Sequence, residues 1–193
     1  HRRISMLVVD PEERARHLAQ SATHPDPGVA EALDQGADHA CRRGAPAIAA
    51  ELLERALKLT DADDPARYAR LLAASEATRQ AGDWPRARAL AEAAITIAKE
   101  GNARARALLL LGLSSSDALE VCLRARAEAP ADPPLDARIH LALSDARFGV
   151  SFPLAYDDAC AALEAAERAK DMSLVSEALA LAGLDNVGQK RAL

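Results

Sequence analysis

An alanine-rich apolar stripe recurs along this chain and constrains its fold more than any other feature. The stripe is clearest where apolar residues stand at positions i, i+3, i+4, i+7, i+8 and i+11: Ala87, Leu90, Ala91, Ala94, Ile95 and Ala98. This spacing places all six on one face of an α-helix with about 3.6 residues per turn. Such an apolar face is shielded from water only when a neighbouring element packs against it.

The segment just before this stripe offers a cover. Its apolar residues are Tyr68, Leu71, Leu72 and Ala74. It ends at Gly82, which suits a left-handed helix C-cap, and Asp83 follows as an N-cap for the next helix. The two segments therefore predict an antiparallel helical hairpin over residues 65–99.

The same hairpin pattern occurs before and after residues 65–99. The stripe starts again at Ala49, Ala118 and Ala155, so the steps between Ala49, Ala87, Ala118 and Ala155 are 38, 31 and 37 positions. A repeat of about 20–50 residues is typical of a solenoid, because one hairpin does not bury its apolar face alone whereas stacked neighbours do. The predicted fold class is all-α, an α-solenoid of antiparallel helical hairpins.

The predicted domain organisation follows from these repeats. We expect residues 1–9 to be the tail of a preceding element and residues 10–193 to be a single helical-repeat array. The hairpins are predicted at about 27–60, 65–99, 103–129 and 135–170, with a half-hairpin over 172–193. Because the chain begins at His1 and stops near Ala192, one further step from Ala155, we expect it to be a piece of a longer protein.

Helix starts are predicted from aspartates. Asp10 and Asp26 each precede a proline, which is the order of an N-cap followed by a proline in the first helical turn. Asp117 with Glu120 has the spacing of a capping box. Helices are therefore expected to begin directly after Asp10, Asp26 and Asp117.

The amino-acid composition supports stacked helices and argues against some classes of function. Half of the residues are hydrophobic but only 3% are aromatic, and alanine favours helices that approach closely. The net charge of −5 argues against a nucleic-acid surface in this segment, since phosphate binding needs concentrated positive charge. No apolar run is long enough to span a membrane. The three cysteines have no disulfide or zinc spacing and are expected to be buried core residues of a cytoplasmic protein.

The sequence contains no pattern that predicts catalysis. Glycine-rich nucleotide loops and the GxSxG nucleophile motif are absent, and the histidines lack the spacing of metal ligands. The acids of residues 61–65 are expected to form a solvated turn and not a calcium loop. Trp84 could stack on a ligand, but at a hairpin turn we expect it to fill the gap between two helices. We predict no enzyme, no catalytic residue and no metal site.

Two resemblances are carried by particular residues. Gly82-Asp83-Trp84 with Ala87 and Ala94 resembles the second-helix half of a tetratricopeptide repeat, although Thr78 stands where that family has an aromatic residue. The run from Asp10 to Ala19, followed by the run from Gly44 to Ala56, is similar to the helical-repeat region of large ATP-binding LuxR-type transcription regulators of the MalT-like group. This second resemblance covers most of the chain.

The regulator resemblance implies a role for this segment. In that family an ATPase precedes the repeats and a DNA-binding helix-turn-helix follows them, and the repeats receive an inducer or partner. The resemblance therefore implies a non-catalytic sensing segment, with no cofactor in these residues and with ATP and DNA bound elsewhere in the parent protein. The alternative is a general scaffold or adaptor that binds other proteins, and an all-helical enzyme is a more distant third.

A tetratricopeptide register also predicts where a partner would bind. The concave face of such an array is built from first helices, at positions between the buried ones. The side chains expected there are Glu76, Arg79, Gln80, His140, Ser144 and Arg147. This mixed polar groove would suit a protein, a peptide or a small polar inducer, or it would be a solvated inner face without a ligand.

Overall fold

A computed structural model of the chain describes residues 10–22, 24–129 and 132–191. Within these ranges it contains ten α-helices and no β-strand. The helices are α1 (Pro11–Ser21), α2 (Pro27–Arg42), α3 (Pro46–Lys58), α4 (Ala66–Gln80), α5 (Trp84–Ile97), α6 (Asn102–Gly112), α7 (Ala118–Glu128), α8 (Pro133–Arg147), α9 (Phe152–Ala169) and α10 (Met172–Arg191). The predicted all-α fold class is confirmed.

The chain divides into two compact units, His1–Ile97 and Ala98–Leu193. The first unit contains α1–α5 and the second contains α6–α10, and within each unit helices that follow one another in the chain pack together. The helix pairs α2–α3, α4–α5, α6–α7 and α8–α9 overlap the ranges predicted for the four hairpins, and the predicted domain bounds stay a prediction. One array over residues 10–193 stays a prediction, and the tail assigned to residues 1–9 lies outside the described residues.

Three of the four predicted N-caps are confirmed, at Asp10, Asp26 and Asp83. The Oδ1 atom of Asp10 accepts the backbone N–H of Glu12 at 2.8 Å, and the Oδ1 atom of Asp26 accepts that of Gly28 at 3.0 Å. Each bond satisfies a donor that has no partner inside its own helix. The first turns of α1 and α2 are therefore closed by the residues that the sequence indicates.

The turn after α4 follows the prediction for Gly82 and Asp83, and Gly44 has the same role after α2. Gly44 and Gly82 have φ of 74° and 86°, a backbone conformation that only glycine adopts without a steric penalty. After Gly82, the Oδ1 atom of Asp83 accepts the N–H of Arg86 at 3.2 Å. The two glycines end α2 and α4, and Asp83 caps α5.

The capping box predicted at Asp117 is wrong. Asp117 precedes α7 with φ −97° and ψ 36°, and its side chain accepts no hydrogen bond from the helix. A capping residue normally has extended backbone, which aims its side chain at the first helical N–H groups. Here the N–H of Asp117 instead donates to the Oγ of Ser115 at 3.3 Å, so the preceding serine turn sets the local geometry.

The predicted apolar stripes form the cores of both units. Ala87, Ala91 and Ala94 are fully buried, and so are the stripe residues of the other second helices: Ala49, Leu52, Ala56, Cys122, Ala125, Ala155, Ala159, Ala162 and Ala166. Leu53, which lies in the stripe that begins at Ala49, is also buried. Ile95 was expected to be buried but is only half-buried, because it lies at the edge of the line through Ala87, Ala91 and Ala94.

The cysteines divide between core and surface. Cys122 is fully buried, and burial raises the pKa of its thiol to about 11, so it is an inert core thiol. Cys160 is half-buried, and Cys41 is exposed. The prediction of a core position is therefore wrong for Cys41, which stands next in sequence to the buried Ala40 of α2.

Within the described residues, no helix is long and apolar enough to span a membrane.

Candidate functional site

The three groove residues predicted in the first unit form one hydrogen-bonded group on α4. Arg79 donates from Nε and Nη2 to the two carboxylate oxygens of Glu76, at 2.9 and 2.7 Å. Gln80 donates from Nε2 to the Oε1 of Glu76 at 2.6 Å. The pKa of Arg79 is raised, mainly because of its hydrogen bond to Glu76. The group is thus fixed in position and carries no net charge.

In the second unit, a buried carboxylate brings two predicted residues together. Asp158 of α9 is only 3% exposed. Its Oδ1 lies 2.8 Å from the Nδ1 of His140, and its Oδ2 accepts a hydrogen bond from the Nη1 of Arg147. Both partners lie on α8, so this contact joins the two helices of the hairpin. A buried carboxylate needs such partners, because burying it alone would be costly.

Further charges surround this carboxylate. The Nη1 of Arg126, on α7, lies 3.9 Å from the Oδ1 of Asp158. Asp136 lies one helical turn from His140, with 3.6 Å between its Oδ1 and the histidine Nε2, and its Oδ2 is 3.1 Å from the Nη2 of Arg168. We call these residues the Asp158 cluster: Arg126, Asp136, His140, Arg147, Asp158 and Arg168.

The Asp158 cluster holds more positive than negative charge. Three arginines from three helices face two aspartates. The side chains of Arg126 and Arg168 are 45% and 56% exposed, whereas that of Arg147 is only 16% exposed. Arg147 and Asp158 fix the geometry, and Arg126 and Arg168, although each lies near an aspartate, keep about half of their side-chain surface exposed. Partly exposed guanidinium groups bind carboxylates well.

Ser144 does not belong to the surface on which it was predicted. It is 1% exposed, and its Oγ has no hydrogen-bond partner within the described parts of the chain. The reason is its place on α8, since Ser144 follows Ala137 and Leu141 by seven and three residues and shares their buried face. The assignment of Ser144 to the groove is therefore wrong.

Ser144, His140 and Asp158 are the residue types of a nucleophilic triad, but their geometry is different. In a triad one histidine nitrogen faces the acid and the other faces the serine hydroxyl. Here the Nδ1 faces Asp158 and the Nε2 faces Asp136. Among the described residues, no hydrogen bond joins His140 to the Ser144 hydroxyl. The arrangement is an ion-pair network that holds side chains in place, and not an activated serine.

Asp158 was missed by sequence reasoning, although a signal existed. It stands three residues after Ala155 and one before Ala159, inside the stripe that the repeat marks as buried. An acid at a buried helical position requires a charged or hydrogen-bonding partner. The position of Asp158 in the stripe is therefore a signal, readable in the sequence, for a centre of polar contacts.

The first unit also has a shallow groove along α3, which is the second helix of its hairpin. It has a volume of about 340 Å³, and its lining includes Ala47, Ala50, Glu54, Thr78, Asp83 and Arg86. Acidic and basic side chains line it together, and Arg86 forms an ion pair with Glu54. Because the lining holds three acidic and three basic side chains, the groove shows no preference for one ligand charge. Trp84 does not fill a gap between helices as predicted, since it is 48% exposed.

A group of potential metal ligands lies where α1 meets α2. One ligand atom each from Asp10, Glu12 and His39 lies within 4.8 Å of the others. Both carboxylate oxygens of Glu12 already accept hydrogen bonds from Arg43, at 2.6 and 2.7 Å, and Asp10 caps α1. A cation would compete with this arginine. The geometry is that of an ion-pair network that joins α1 to α2.

Comparisons with known proteins give a fold but no family. Neither the known family models nor the curated proteins include a match to this chain. A solved structure described as "MamA RS-1 ArsTM double mutant" is similar, with a TM-score of 0.58 and 23% sequence identity, over 88% of this chain and 94% of that one. With the sequential packing of the helices, this likeness shows a tetratricopeptide-like α-solenoid fold.

Proposed function

We propose that this chain is a non-catalytic binding segment that receives a protein or peptide partner, or a small inducer, at the polar surface that its first helices form with residues of the second helices α7 and α9. Support comes from the fold, because stacked helical hairpins present extended surfaces to partners. It also comes from the polar groups of α4 and α8, whose side chains are fixed by hydrogen bonds before any ligand arrives. Fixed side chains lose little entropy on binding.

The observation that carries this proposal is the charge of the Asp158 cluster. Arg147 and His140 contact the buried carboxylate, and the side chains of Arg126 and Arg168 lie outside them, 45% and 56% exposed. This arrangement would recognise a carboxylate, either on an acidic side chain or at the C-terminus of a peptide. We therefore propose an acidic peptide segment or a small anionic inducer as the ligand.

We further propose that the chain works inside an ATP-dependent transcription regulator of the LuxR type. The resemblance of the runs from Asp10 to Ala19 and from Gly44 to Ala56 supports this setting. In such a regulator, these residues would sense the partner in the cytoplasm and would hold no cofactor. ATP and DNA would be bound by other domains of the parent protein.

A binding titration tests the ligand chemistry. Isothermal calorimetry of the chain against a peptide of alternating glutamate and leucine, with a free C-terminus, should show binding that weakens as salt increases. Removal of both outer guanidinium groups, in Arg126→Ala with Arg168→Ala, should weaken it about tenfold or more. Arg88→Ala is the matched control, because this exposed arginine pairs only with its helical neighbour Glu92 among the described residues. Equal loss in the control variant, or no binding by the unaltered chain, would contradict the proposal.

The alternative is a general adaptor built from tetratricopeptide-like repeats, and the fold likeness favours it equally. The parent reading frame separates the two functions. A regulator requires a phosphate-binding loop upstream and a helix-turn-helix downstream, whereas an adaptor requires neither. Absence of both from the reading frame would leave the binding role intact and remove the regulator setting.

A further inference from the structure

The turn between α8 and α9 exposes an unusual amount of apolar surface. Within residues 148–154, Val150 is 81% exposed, Leu154 47% and Phe148 41%. Single exposed apolar side chains are common, but several together mark an interaction site. This surface, which we call the apolar turn, belongs to the second unit and contains no residue of the Asp158 cluster.

The backbone and ring contacts hold the apolar turn in one arrangement. The rings of Phe148 and Phe152 pack edge to face, with 5.3 Å between their centroids. The N–H groups of Val150 and Ser151 donate to the carbonyl oxygen of Arg147 at 2.8 and 2.9 Å. The apolar side chains are therefore displayed on a fixed platform, which reduces the entropy lost when a partner binds.

Acidic residues flank the apolar turn on both sides. Asp145 stands one helical turn before Phe148, and Asp157 stands one helical turn after Leu154, so each shares a helix face with an exposed apolar neighbour. Both aspartates are exposed, and neither forms a salt bridge with a described residue. The nearest arginine in the sequence, Arg147, is held by Asp158. The charge that the turn offers to a partner is negative.

We propose that the apolar turn binds a short segment of another protein in which a bulky apolar side chain is flanked by lysine or arginine. The apolar residue would cover Val150 and Leu154, and the basic residues would face Asp145 and Asp157. A second copy of this chain fits less well, because it would place the same aspartates opposite each other. An anionic lipid surface is opposed by the same charges. This surface is separate from the proposed site at the Asp158 cluster and has the opposite charge preference.

The test uses the whole chain, labelled with ¹⁵N, and two synthetic peptides. One peptide is Lys-Leu-Phe-Lys with blocked ends, and the other has glutamate in place of both lysines. The basic peptide should shift the amide signals of residues 148–154 and bind less tightly in high salt, while the acidic peptide should not shift them. Val150→Ser should weaken binding of the basic peptide about tenfold, since it removes the most exposed apolar contact.

Two controls make the result decisive. Met172→Ser removes a similarly exposed apolar side chain, 74% exposed, from the start of α10 and should leave the affinity unchanged. Asp145→Asn with Asp157→Asn should reduce both the affinity and its salt dependence. Equal binding of the two peptides would overturn the proposal. So would an unchanged affinity in Val150→Ser, or self-association in sedimentation that this substitution abolishes.

Discussion

Arg70 of α4 reaches across to Asp34 of α2 and donates to both of its carboxylate oxygens, at 3.2 and 2.9 Å from Nε. Its Nη1 also donates to the Oγ1 of Thr60 at 2.8 Å. Arg70 is 8% exposed, so these bonds lie largely outside water. One buried guanidinium group thus connects the second hairpin to α2 and to the segment just after α3 within the first unit.

We predict that Arg70→Ala lowers the free energy of unfolding by about 1.5–3 kcal/mol, because hydrogen bonds to charged groups are lost and their partners remain. Urea denaturation measures this change. Arg88→Ala removes an exposed ion pair between helical neighbours and should cost less than about 1 kcal/mol. Equal costs for the two variants would show that Arg70 does not stabilise the contact between hairpins.

Leu53→Ala tests the repeated apolar stripe. Leu53 is 6% exposed and packs in the core of the first unit, so its truncation should cost about 2–5 kcal/mol. Ile97→Ala is the control, since Ile97 is 44% exposed, and it should cost much less. A cost below about 0.5 kcal/mol for Leu53→Ala in urea denaturation, as at surface sites, would argue against the stripe.

Gly112→Ala tests the close contact between α6 and α7. A Cβ atom at Gly112 would lie 2.6 Å from the Sγ of Cys122, so the Cys122 side chain or one of the two helices must shift. We expect thermal or urea denaturation to show a loss of about 1–3 kcal/mol from overpacking, and a smaller loss when Cys122→Ala is also present. Gly183→Ala, where nothing lies within 4 Å of the new atom, should be neutral or stabilising because alanine favours helix. Loss of stability that Cys122→Ala does not relieve would refute the proposed steric cause.

Acid should weaken the contact between α1 and α2. The hydrogen bonds from Arg43, with a smaller contribution from His39, lower the pKa of Glu12 from 4.5 to about 2 in the folded chain. The unfolded chain therefore binds the proton more readily, so the contribution of Glu12 is complete above about pH 4.5 and is lost as the pH falls towards 2.

The measurement is urea unfolding at a series of pH values, for the unaltered chain and for Glu12→Gln. The stability difference between the two should be largest near neutral pH and should shrink between pH 4.5 and pH 2. A difference that stays constant over this interval would mean that Glu12 does not titrate with a lowered pKa.

The elements that the sequence predicts well are those set by local chemistry. Helices follow from small apolar residues at helical spacing, and their ends follow from Asp10, Asp26, Gly44 and Gly82. These signals depend only on neighbouring residues, so they are visible in the sequence before the fold is known. Asp117 fails because its own backbone conformation, imposed by the preceding turn, prevents the capping that its residue type favours.

The candidate site was predicted only in part because it depends on contacts between helices. His140 and Arg147 share a polar face of α8, and that much is visible in the sequence. Their common partner, Asp158, lies on another helix, and its orientation depends on how α8 and α9 pack. Ser144 was assigned to the wrong surface because it lies where the polar and buried faces of α8 meet.

The most direct test of the central claim observes the arginine side chains themselves. In NMR spectra of the ¹⁵N-labelled chain, titration with the glutamate–leucine peptide should shift the Nε signals of Arg126, Arg147 and Arg168. The signal of Arg88, in the first unit, should stay in place. Unshifted signals from the three arginines of the Asp158 cluster, or equal shifts of all arginines, would contradict a binding site for acidic partners there.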